Sequence, residues 1–150
     1  MKDGRRLLPE GWQIRILMVT GGALAGNLLL SRIPWSDRIL SSYESSVSME
    51  GTEPVSYLLT TLLLAPVVEE GIFRLFLFDR ILRGRMGFFG AAVLSSLAFG
   101  MYHGNWIQGV YASGLGMILA WGYESSEQKQ YQMAVVMHGA ANLAAMLLVR

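Results

Sequence analysis

The sequence predicts an all-α protein, a polytopic transmembrane helical bundle of about five spans. Three observations carry that prediction. Hydrophobic residues make up 53% of the 150-residue chain and charged residues only 15%, whereas globular chains carry about 25% charged residues. Mean hydropathy is +0.39. The charge is also clumped: from Met86 to Tyr123 there is no Lys, Arg, Asp or Glu. A bilayer crossing takes about 20 apolar residues, so that stretch alone has room for two. A net charge of +1 gives no basic footprint for nucleic acid. The absence of cysteine excludes a disulfide framework, a thiol nucleophile and a Cys-type zinc site.

The first span is expected from Trp12 to Leu30, after a basic start with Lys2, Arg5 and Arg6. Ala23-Leu24-Ala25 imitates a signal-peptidase site. Asn27-Leu28-Leu29-Leu30 carries the apolar run past it, however, and a retained helix is expected. Gly22 and Gly26 form a GxxxG that permits close helix packing. Residues 31–53 are polar and read as an extramembrane loop with room for a short surface helix. A second span runs from Pro54 to about Arg83, and Gly84 and Gly87 punctuate a tight turn. A third covers Met86 to Tyr102, and Gly104-Asn105 breaks the run. A fourth covers Trp106 to Tyr123, and a fifth Tyr131 to Val149. The chain thus divides into residues 1–53 (basic N-terminus, first helix and polar loop) and a four-span core at 54–150. Lys and Arg in the short loops set orientation. A cytoplasmic N-terminus puts Lys2, Arg5, Arg6, Arg80, Arg83, Arg85 and Lys129 inside, and leaves Arg32, Arg38 and Arg150 outside.

Against this apolar background, Glu69-Glu70-Gly71-Ile72-Phe73-Arg74 stands out. Each charged group at a helix centre costs about 3 kcal/mol, and intramembrane ionisable residues are functional candidates by default. Glu70 and Arg74 are spaced i, i+4 and can pair on one face. Glu69 lies about 100° round the helix and has no partner in its own segment, which suits a general base. The alternatives are a buried charge network that fixes packing, or a segment lying at the membrane interface.

The two histidines, His103 and His138, both fall in or at the end of spans. Glu69 and His103 stand 17 positions on either side of residue 86, so an antiparallel hairpin brings them to the same depth. His138 and Asn142 share a face at i, i+4. A carboxylate and an imidazole can together deprotonate water for attack on a peptide carbonyl. A second His and an Asn amide can donate to the developing oxyanion. A zinc site of Glu69, His103 and His138 would be the metal-assisted alternative, but there is no HExxH, and no cofactor is expected. Ser95, Ser96 and Ser113 sit in no recognisable nucleophile turn.

The motifs together resemble the CPBP (CAAX protease and bacteriocin-processing, or Abi) family of intramembrane proteases, which includes the type II CAAX prenyl endopeptidases. Its EExxxR matches Glu69 to Arg74, its FxxxH matches Phe99 to His103, and its third motif matches His138 to Asn142. The resemblance covers about residues 54–149. It implies a membrane endopeptidase cutting near the C-terminus of membrane-anchored protein or peptide substrates. Glu69 and His103 would activate water, His138 and Asn142 would form the oxyanion site, and Glu70 and Arg74 would support them, without a metal. One span precedes the motifs, where many members have three or more. The implied setting is a bacterial cytoplasmic membrane. The competing readings are a non-catalytic membrane immunity or binding protein, and a small transporter or proton relay.

Overall fold

The computed structural model describes residues 7–48 and 53–148. Lys2, Arg5 and Arg6, loop residues 49–52, and the end of the fifth span with Arg150 lie outside the described residues. Among the described residues there are helices and no strand: α1 (Trp12–Leu30), α2 (Asp37–Val47), α3 (54–83), α4 (Gly84–Tyr102), α5 (Trp106–Glu124) and α6 (Gln130–Leu148). The protein is an all-α membrane bundle. Helices α1 and α6 have both the length and the hydropathy to cross a bilayer, and α4 and α5 share their 19-residue length.

The inner and outer faces differ as a membrane requires. Val19, Phe73, Phe99, Leu119, Met133 and Met137 are buried together in one cluster. Leu17, Leu63, Phe76, Leu97, Val110 and Leu143 point outward, exposed. In water such a surface would associate, whereas in lipid it is solvated. Helix α5 is central, packing on α1, α4 and α6, with α2 across one end. Gly22 and Gly26 of α1 face α5 at Ile118 and Tyr111, which is how the GxxxG is used.

The short helix anticipated in the polar loop is α2. Ile39, Tyr43 and Val47, spaced by four, are half-buried while the rest of α2 is exposed. Its Ser46 accepts a hydrogen bond from Asn105 Nδ2 at 3.1 Å. Asn105 also caps α5, accepting from Gln108 N–H at 2.9 Å.

The α3–α4 hairpin turns at Gly87 rather than at Gly84. Gly84 is helical, whereas Gly87 has φ 70° and ψ −178°, a region open essentially only to glycine. The reversal brings Phe73 against Phe99, ring centroids 5.2 Å apart, each 13 residues from Met86.

Charged and polar ties gather at the turn end of the bundle. Arg83 pairs with Glu124. Arg15, only 8% exposed, donates to Ser125 Oγ at 3.1 Å, to Glu10 O at 2.7 Å and to the Ser125 carbonyl. Arg15 lies inside the first span. In the sequence it is recognisable as a charge one turn into an apolar run.

Candidate functional site

Helix α3 changes its winding around the acidic pair. Over Thr60–Leu64 and Gly71–Arg83 it is widened to i→i+5 hydrogen bonding, and Ala65–Glu70 between them is α-helical. Departures of this kind concentrate at functional sites. Pro66 is the second residue of the α-helical stretch. Its missing N–H leaves a backbone carbonyl without its usual donor.

The two adjacent acids have different surroundings. Glu70 is fully buried. Its Oε2 lies 3.3 Å from Arg74 Nε, and its Oε1 accepts from His138 Nδ1 at 2.8 Å. Glu69, on the next face, keeps its side chain 13% exposed, with Oε2 at 3.6 Å from His138 Nε2. A partner for Glu69 therefore comes from α6, where the local sequence offered none. Sequence spacing within one helix says nothing about a residue on another.

Arg74 is buried completely. It donates to Gly116 O at 3.1 Å, and its guanidinium carbon sits 4.5 Å over the Phe99 ring. Its contact with Glu70 is a charge contact rather than an aligned hydrogen bond, since Nε and Nη1 lack a hydrogen-bond partner. The aromatic face compensates part of that deficit.

His103 closes α4. Its Nδ1 lies 2.9 Å from Phe99 O. A carbonyl only accepts, so in the neutral ring Nδ1 carries the hydrogen and Nε2 the lone pair. The same logic at Glu70 puts a hydrogen on His138 Nδ1. Glu69 lies within electrostatic reach of His103, His138, Glu70 and Arg74.

Asn142 does not touch this group through its amide nitrogen. Nδ2 donates instead to Thr61 O at 2.8 Å. Thus Glu69, Glu70, Arg74 and His138 form one contact group, His103 faces it from the end of α4, and Asn142 is tied to α3 two turns earlier.

Phe99 is the residue that sequence reasoning undervalued. Its ring meets His103 edge-on at 4.9 Å and His138 at 5.4 Å, while its carbonyl holds His103 and its face holds Arg74. The only signal was its i−4 position before a histidine.

For a metal ion, among the described residues no three His, Asp or Glu side chains are grouped as ligands.

A family model described as type II CAAX prenyl endopeptidase Rce1-like matches residues 51–144. That range contains Glu69, Glu70, Arg74, His103, His138 and Asn142. No curated protein and no solved structure matches the chain.

Proposed function

The chain belongs to the Rce1-like family of type II CAAX prenyl endopeptidases, an integral membrane protease family, and on that premise we propose that it hydrolyses a peptide bond near the C-terminus of membrane-associated substrates. The observation that carries the reading is the division between the two acids. Glu70 is committed to Arg74 and His138, whereas Glu69 keeps an open edge. Only an acid with an open edge can hold a water.

Glu69 and His103 Nε2 activate that water by taking its proton as the hydroxyl attacks the scissile carbonyl. The oxyanion receives hydrogen bonds from the second N–H of Asn142, whose first serves Thr61, and from His138 in its doubly protonated form, which donates Nδ1–H to Glu70 and has Nε2–H left for the substrate. The proton then passes to the leaving amine, and carboxylate and imidazole return to their starting state. Burial of Glu70 and Arg74 keeps His138 oriented through the cycle. No metal takes part in this scheme. The N-terminus lies in the cytoplasm of a bacterial cell. The clustering of Arg15, Arg83 and the 125–129 loop at one end of the bundle supports that orientation.

The test compares protein termini in membranes of cells carrying wild type or Glu69→Ala at equal expression. New termini that appear only with wild type are expected, and they identify the substrates. Identical termini, with any phenotype intact in the mutant, would move the function to non-catalytic binding or immunity.

A further inference from the structure

We propose that Pro66 and Asn142 are a matched pair: the proline withholds one hydrogen bond from the backbone of α3, the asparagine supplies it from α6, and the exchange sets how Glu69 is presented. The catalytic part of this inference rests on the protease reading above.

Residues Thr60–Leu64 run in the wide register, and Ala65 N–H donates five residues back, to Thr60 O. The same register assigns residue 66 to Thr61 O. The α register resumed over Ala65–Glu70 would assign it to Leu62 O instead. Residue 66 is proline and donates to neither. In the apolar interior of a membrane protein such carbonyls must find partners within the protein.

Helix α6 packs against both and supplies a donor to the first. Asn142 Nδ2 donates to Thr61 O at 2.8 Å. Gly139, three residues earlier on the same face, lies so close to α3 that a Cβ there would meet Leu62 O at 2.8 Å. The glycine allows the approach, and the asparagine completes the hydrogen bond.

The consequence for the site is one of helical phase. A wide turn adds one residue to the helix, and one residue is about 100° of rotation. The far side of α3 is anchored to α4 and α5 through Phe73–Phe99 and Arg74–Gly116. If the wide turn tightened, the rotation would be absorbed between Thr61 and Arg74, where Glu69 and Glu70 sit. Beside the oxyanion role given to its second N–H, Asn142 therefore also positions Glu69, through Thr61 and the turn that ends at Pro66.

The experiment uses the full chain in three variants beside wild type: Asn142→Asp, Pro66→Ala and the double. Asp keeps the shape of Asn and, as a carboxylate, removes the donor. The Pro66→Ala change restores a backbone N–H at that position. Asn142→Asp is expected to lower the melting temperature by about 3 °C or more, and by less than half as much in the Pro66→Ala background. At matched abundance in cells, cleavage-dependent termini should fall by roughly 10-fold or more in Asn142→Asp and stay low in the double variant, because both lack the Asn142 N–H given to the oxyanion. Equal thermal losses in both backgrounds, or none in either, would overturn the pairing. Should Asn142→Asp fail to fold, a folded double variant supports the pairing and an unfolded one overturns it. If wild type itself yields no termini, the protease reading fails while the thermal comparison still decides the pairing.

Discussion

Glu70 Oε1 lies 2.8 Å from His138 Nδ1, with both side chains buried between α3 and α6. The bond consumes one ring nitrogen and turns the other, Nε2, toward Glu69. Glu70→Gln keeps the volume but removes the charge opposing a fully buried Arg74. Breaking a buried pair from one side costs about 3–5 kcal/mol. Thermal unfolding of the purified protein should show a loss of that order, and an unchanged midpoint would mean that the pair is not structural.

Glu69→Gln is expected to behave oppositely. The side chain retains an open edge and makes one long contact at 3.6 Å, so stability should hold. Cleavage should fall by about 10²-fold or more if Glu69 is the base. Full turnover in a stable Glu69→Gln protein would remove it from that role.

Phe99→Leu should weaken both stability and cleavage. The substitution keeps an apolar side chain but loses the surface beneath Arg74 and the edge contacts to both imidazoles. A desolvated cation–π contact is worth up to about 2 kcal/mol. Unfolding measurements on Phe99→Leu and on Phe99→Leu in an Arg74→Met background would separate that share, because the ring should matter less once the cation is gone.

Gly87→Ala should destabilise the α3–α4 hairpin by about 1–3 kcal/mol, since φ 70° with ψ −178° suits no residue with a side chain. Gly84→Ala, in helical geometry with nothing within 4 Å of a Cβ, should be close to neutral. Comparing the two midpoints checks where the turn lies.

Active protein is expected to hold less than one zinc per chain, and to keep its activity after treatment with a chelator. One equivalent of zinc by elemental analysis, lost together with activity, would overturn the metal-free scheme.

What was legible in the sequence was what composition and counting can carry. The apolar runs give the long helices, and equal distances from residue 86 give the α3–α4 hairpin, which the Phe73–Phe99 contact makes concrete. The i, i+4 spacing of Glu70 and Arg74 puts them on one face, and they meet there at 3.3 Å. The rest depends on which helices become neighbours. His138 comes 68 residues after Glu70, and no local period announces that α6 lies against α3. The widened turn over Thr60–Leu64 has no signature in five ordinary apolar and hydroxyl residues. It becomes intelligible only with Pro66 on one side and Asn142 across the interface. Gly84 and Gly87 look alike as turn residues, and only the backbone angles tell them apart.

The ties between Arg15 and Ser125 and between Arg83 and Glu124 make the bundle mechanically lopsided. Charge-assisted bonds hold the end bearing the Gly87 turn, while neutral amide and hydroxyl bonds from α2 to Asn105 hold the end where His103 sits. The two ends therefore respond differently to salt: added electrolyte screens the exposed Arg83–Glu124 pair and leaves the neutral bonds beside His103 as they are.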